Sequence, residues 1–159
     1  MIDKRLNEDR VDLKLMIVLF KAHQSLVEFI KDDIKDCNLD LNEFSVLEVI
    51  YHKKELTVQE INEKVLVASS SLSYILQKLE KRNLIQRKKC QRDKRVSYIS
   101  LTDDGYSFSN DLFPKHYDNL KEMFKVLSSE EKESAKEILK KLGYFIKGNI
   151  GDNKWNIYL

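Results

Sequence analysis

Between Lys78 and Arg95 the chain carries nine lysines and arginines against two acids, Glu80 and Asp93, while the whole chain is only +2. Charge concentrated in this way on one short stretch is the footprint of a phosphate-binding surface. Its bland counterpart is a solvated basic face. The residues leading into it favour the former. Ser70, Ser71, Ser73, Tyr74, Gln77, Lys78, Lys81 and Arg82 share the polar side of a helical pattern. Hydroxyls, an amide and cations, with no large aliphatic among them, leave an edge that can enter a DNA groove.

The opposite side of that pattern positions them. Leu72, Ile75, Leu76 and Leu79 recur at i, i+3, i+4 and i+7, the stripe of a helix packed on a core. Asn83 follows and suits the left-handed residue that ends a helix. Strand-like runs at Ile85 to Cys90 and Arg95 to Leu101, with a turn over Gln91 to Lys94, predict a β-hairpin. Upstream, Thr57 and Glu60 form a capping box for a short helix, with Leu56 and Ile61 placed as its hydrophobic staple. That helix runs to about Val65, and a turn over Leu66 to Ala68 leads into the helix at Ser69. A short helix, a brief turn and a longer helix with a polar face is a helix-turn-helix, and the hairpin makes it winged.

Longer helices flank this unit. Val11 to about Asp36 is amphipathic throughout, with Asn38 as its stop. Asp40 and Glu43 are spaced as a second capping box, stapled by Leu39 and Phe44, for a helix ending near Lys53 and Lys54. Thr102 caps a helix that holds Pro114, where a kink is expected. Gly105 in its first turn allows a close approach to the hairpin. Ser128 with Glu131 opens a last helix carrying Ala135, Ile138, Leu139, Leu142, Phe145 and Ile146, stopped at Gly148. The apolar tail Trp155 to Leu159 is expected to dock on the body, and residues 1–10 to be loose. The fold class is therefore mainly α (α+β), a winged helix-turn-helix with long N- and C-terminal dimerisation helices. The divisions are 1–39, 40–101 and 102–159. The flanking helices expose more apolar stripe than one chain can cover, so a two-fold homodimer is expected; folding back on their own subunit is the alternative. A dimer sets two recognition helices about one DNA turn apart, as a pseudo-palindromic site requires.

At 159 residues with four glycines and one proline, the chain is one mostly helical domain with extensions. Its longest apolar run, Leu15 to Phe20, is too short for a membrane span and lacks a signal-peptide pattern. Two distant cysteines suggest no disulfide framework, and a reducing cytoplasm is expected. No Ser/His/Asp or Cys/His constellation, phosphate-cradling glycine loop or metal motif stands out, and His23, His52 and His116 are scattered. An enzyme, a cofactor and a resident metal are not expected.

Asp93-Lys-Arg95 followed by Leu101-Thr102-x-x-Gly105, on the frame Leu72, Ile75, Leu79, Leu84 and Ile85, resembles the MarR family of bacterial transcription regulators over nearly the whole chain. Tyr74 departs from the pattern where the family often has Arg, and Leu66 where it often has a small turn residue. A narrower likeness, over Thr57 to Lys81, Cys90 to Tyr98 and Phe113 to His116, is to the MhqR-type branch, which represses genes for handling quinones and other reactive aromatics. The resemblance implies a dimeric regulator of double-stranded DNA with recognition helices in adjacent major grooves and wings at the flanking minor grooves. Arg95 would be the minor-groove probe, with Asp93 orienting its guanidinium. Ser70, Ser71, Ser73, Tyr74, Gln77 and Lys78 are the base-edge or phosphate candidates; Gln77 suits adenine but could equally meet phosphate. Lys88, Lys89, Arg92 and Lys94 would add sequence-independent phosphate contacts.

Such regulators commonly take a small ligand between the winged unit and the dimerisation helices. Phe20, His23, Phe44, Glu48, Phe113, His116 and Tyr117 could line that site for a planar phenolic or quinone effector. Ordinary packing is the alternative for each. Cys90, among Lys88, Lys89 and Arg92, could instead report oxidants or electrophiles as a thiol. Cys37 is the weaker thiol candidate. A winged-helix module that binds protein rather than DNA is a third reading, disfavoured by the cationic wing.

Overall fold

A computed structural model describes residues 10–65, 67–93 and 95–148. Leu66, Lys94 and the tail from Trp155 to Leu159 lie outside the described residues. The chain divides between Leu41 and Asn42 into two compact units. The first is built on α1 (Arg10–Asp33), followed by a 3-10 turn (Lys35–Cys37) and Asn38 at φ 53°. The helix therefore stops three residues short of the expected Asp36, because the 3-10 turn tightens its end before the left-handed asparagine.

The second unit takes in α2 (Leu41–Lys53) from Asn42 onward, which leads to β1 (Glu55–Thr57), α3 (Val58–Lys64) and α4 (Ser69–Lys81). The hairpin β2 (Ile85–Lys89) and β3 (Ser97–Leu101) follows, then α5 (Asp103–Met123), a 3-10 turn (Phe124–Val126) and α6 (Ser129–Gly148). β3 lies central in an antiparallel sheet of order β1-β3-β2, with Leu56 opposite Ile99 and Lys88 opposite Tyr98. The core is Val46, Leu47, Val49 and Ile50 of α2, Ile61 of α3, the α4 stripe Leu72, Ile75, Leu76 and Leu79, and Ile99 and Leu101 of β3, all buried.

The end of α4 fixes where the wing starts. Asn83 takes φ 56°, its N–H donates to the Glu80 carbonyl (2.9 Å), and the Leu84 N–H donates to the Leu79 carbonyl (3.0 Å). Those two bonds form a Schellman motif, which satisfies the carbonyls a helix end otherwise leaves open. The Asn83 side-chain amide donates to Asp104 (2.7 Å), tying the helix end to α5. The Thr57 box is closed in both directions: the Thr57 N–H donates to Glu60 (2.7 Å) and the Glu60 N–H to the Thr57 hydroxyl (3.2 Å). The Ser128 box is closed likewise, through Glu131. Helix α5 is uninterrupted through Pro114.

Two further features differ from what the sequence indicates. β1 was not expected; three residues carry no period of their own, and their strand exists only because β3 supplies the ladder. The wing strands are shorter than expected, ending at Lys89 and resuming at Ser97, so Cys90 and Arg95 sit in the loop between them. Asp93 closes that loop on itself: its carboxylate accepts from the Arg95 N–H (3.0 Å), and its backbone carbonyl accepts from the Val96 N–H (3.0 Å).

Candidate nucleic-acid interface

Helix α4 presents Ser70, Ser71, Ser73, Tyr74 and Gln77 to solvent, with Tyr74 64% exposed. Its buried stripe sets which way these side chains face, since residues three and four apart share one side of a helix and those outside that set point away from the core. Lys78 differs from them. It is half-buried, its ammonium 3.1 Å from the carboxylate of Glu43 on α2 and 5.8 Å from the ring centroid of Tyr74. Arg87 is engaged within the unit as well, with Nε 3.2 Å from Glu80, and Arg82 lies 5.8 Å from the Phe108 ring.

On the wing, Lys88, Lys89 and Arg92 are exposed. Arg95 extends into solvent with its side chain 91% exposed, yet its orientation is fixed: Nε donates to Asp93 Oδ1 and Nη2 to Asp93 Oδ2, both at 3.1 Å. The guanidinium, helped by the Arg95 N–H, holds the Asp93 carboxyl below its usual range. Bidentate pairing of this kind presents a planar cation in one plane without burying it. Arg87, Arg95, Val96 and Ser97 face Thr57, Val58 and Gln59 across a shallow cleft where the start of α3 meets the wing. No local signal in the sequence assigns Thr57 and Gln59 to this cleft, because their nearness to the wing depends on the β1–β3 pairing.

A second cluster lies between α2 and α5. Phe44 packs against Phe113 (5.5 Å between centroids) and edge-on to His116 (4.9 Å); Tyr51 stacks on Phe113 (4.9 Å) and donates its hydroxyl to Asn110 (2.8 Å). His52 flanks Tyr51 at 5.4 Å. Phe44, Glu48, Phe113 and His116 of the expected effector set thus share one unit. Tyr117 is exposed with Lys121 5.8 Å from its ring, and Phe20 and His23 are exposed on α1 in the other unit. Tyr51 and His52 were missed, although the spacing 44, 48, 51 continues one side of α2. Burial raises the carboxyl pKa of Glu48, with His116 and His52 opposing the rise. An acid with a raised folded-state pKa loses stability as pH climbs from its ordinary value through the raised one. Glu48→Gln removes that loss, so its unfolding midpoint should exceed the parent's at pH 7, and the difference should close as pH falls toward 4.5. Thermal melts at both pH values check this. Cys90 is half-exposed at the end of β2, its N–H donating to the Val96 carbonyl (3.0 Å), and Cys37 is half-exposed after α1.

Among the described residues no group of three metal-ligating side chains is found, and no helix is long and apolar enough to cross a membrane.

Residues 39–97 match the MarR family model. The chain is 41% identical over 131 residues to the HTH-type transcriptional regulator MhqR of Bacillus subtilis, covering 82% of this chain and 90% of that protein. The chain belongs to the MarR family. It is a DNA-binding transcriptional regulator of the winged helix-turn-helix type, not an enzyme. Among solved structures, a MarR mutant from E. coli complexed with operator DNA superposes with TM-score 0.74 at 20% identity, covering 84% of this chain and 96% of that one. Bordetella bronchiseptica BpsR, described for regulation of its DNA binding by 6-hydroxynicotinic acid, superposes with TM-score 0.72 at 19% identity, covering 82% and 98%. At these identities the superpositions establish the shared fold. The family match spans the recognition helix and the whole wing loop, the stretch where the polar face of α4 and the fixed Arg95 lie.

Proposed function

We propose that this MarR-family regulator acts as a cytoplasmic homodimeric repressor of a pseudo-palindromic operator and is released by a small aromatic, phenolic or quinone-type effector. The observation that carries the DNA reading is the Arg95 guanidinium, held in one plane by Asp93 at the tip of a wing whose neighbouring lysines and arginine are exposed. Ser70, Ser71, Ser73, Tyr74 and Gln77 serve as major-groove or phosphate contacts, and Lys88, Lys89, Arg92 and Lys94 as phosphate contacts. Dimerisation is supported by apolar residues left open on α6, among them Ile138 and Phe145, and by those left open on α1, among them Val11 and Val18. A second copy covers them at the least polar cost.

The effector reading is supported by the aromatic cluster around Phe44, Phe113 and His116 with Glu48 beside it, a ring-stacking surface with one carboxyl and one imidazole. BpsR, by its description, is regulated by a hydroxylated aromatic acid. Thiol sensing through Cys90 is the competing route, favoured by its half-exposed place at the root of the wing loop.

Titrating catechol or benzoquinone into the complex of a Cys37→Ser/Cys90→Ser variant with labelled DNA from its own upstream region separates the two. Release of DNA from the cysteine-free protein supports the aromatic site. Retention by that variant, with release of the parent, transfers the role to the thiol and overturns the pocket.

A further inference from the structure

Glu43 is an acid where a core residue would be expected: it lies in α2 among Phe44, Val46 and Leu47 and is only 2% exposed. Removing an ionised carboxylate from water is unfavourable unless a cation accompanies it. Lys78 supplies that cation from α4, at 3.1 Å. Lys78 lies four residues after Tyr74, on the same helix side, and its ammonium is also within cation–π range of the Tyr74 ring at 5.8 Å. One lysine therefore joins a buried carboxylate of α2 to the exposed Tyr74 ring of the recognition helix.

Resting on the DNA reading above, we propose that Glu43 is a positioning residue for operator recognition. It holds the Lys78 ammonium on the inner side of the recognition helix, so that Lys78 fixes the helix and the Tyr74 ring instead of contacting a phosphate. To reach the DNA backbone, Lys78 has to abandon a carboxylate that water cannot reach. The phosphate contact it forgoes is sequence-independent and would strengthen binding to any duplex. Holding Lys78 inward keeps that contribution out of non-specific binding and leaves Tyr74 presented to the groove in a fixed orientation. Affinity is thereby given up for discrimination.

The salt dependence of binding reads this directly, because each phosphate contact contributes about 0.9 to the slope of log K against log salt. The experiment uses the full chain, a duplex from its own upstream region and a scrambled duplex of equal composition, titrated over a series of KCl concentrations. Lys78→Gln should weaken operator binding with the parent's slope unchanged; a slope lower by about 0.9 per subunit makes Lys78 a phosphate contact and overturns the proposal. Glu43→Gln should free Lys78, steepen the slope by about 0.9 per subunit and tighten binding to the scrambled duplex. Weaker binding to both duplexes at the parent's slope would mean that Glu43 is merely structural, and overturns it as well. Circular dichroism checks that each variant is folded. If Glu43→Gln does not fold, the Lys78→Gln slope decides alone. Failure of the parent itself to bind either duplex is a separate result that removes the DNA reading first.

Discussion

Arg95→Ala should weaken operator binding by about 1–3 kcal/mol, a loss of roughly 5- to 150-fold, while leaving the unfolding midpoint unchanged. The two halves of that expectation have one cause. The side chain is 91% exposed, so nothing in the core depends on it. Its plane is nonetheless set in the free protein by two guanidinium bonds to Asp93 and by the backbone N–H of Arg95 itself. A long side chain that is already ordered loses less freedom when it enters a groove, and that saving appears as affinity. A narrow A·T-rich minor groove concentrates the negative potential that such a cation meets. Asp93→Asn keeps the cation but loosens its plane, so its loss should fall between parent and Arg95→Ala. Anisotropy titrations of the three proteins at one salt concentration check the order. Equal affinity for parent and Arg95→Ala would remove the wing tip from the interface.

Gly105→Ala should destabilise the second unit by about 2–4 kcal/mol, against the gain of up to about 1 kcal/mol that alanine brings to an ordinary helix position. A Cβ on Gly105 would stand 1.9 Å from the Leu84 carbonyl oxygen and 2.8 Å from its carbon. These are backbone atoms, and they cannot yield cheaply. The Leu84 N–H is bound to Leu79, the Leu84 carbonyl accepts from the Thr102 N–H (3.2 Å), and the Thr102 hydroxyl accepts from the Gly105 N–H (2.9 Å). The clash therefore falls on the joint where the recognition helix ends, the wing begins and α5 starts. Urea titration should show the lowered midpoint, and operator affinity should fall with it. An unchanged midpoint would show that the joint is soft.

The helices were legible because each carries its own signals. The stripe Leu72, Ile75, Leu76 and Leu79 is buried as its spacing indicated, Asn83 takes the left-handed turn, and the boxes at Thr57 and Ser128 close. The Asp93–Arg95 pair was legible from the family signature. What escaped depends on partners distant in sequence. β1 is three residues long and exists through β3 alone. Tyr51 joins the aromatic cluster through Asn110 and Phe113, about sixty residues away. Glu43 reads locally as half of a capping box, and only the packing of α2 on α4 makes it the partner of Lys78. Periodicity sets Lys78 among the outward polar residues, since it places a Cβ but not the end of a four-carbon chain that can bend back.

If the α4 face and the wing form the interface, this chain binds one specific operator far more tightly than other DNA. Fluorescence anisotropy on a labelled duplex from its own upstream region, against a scrambled duplex of equal composition at physiological salt, tests it most directly. Two subunits should bind each operator duplex, with an affinity at least about 1,000-fold above that for the scrambled one. Equal affinity for the two duplexes, or retention of neither, would contradict it.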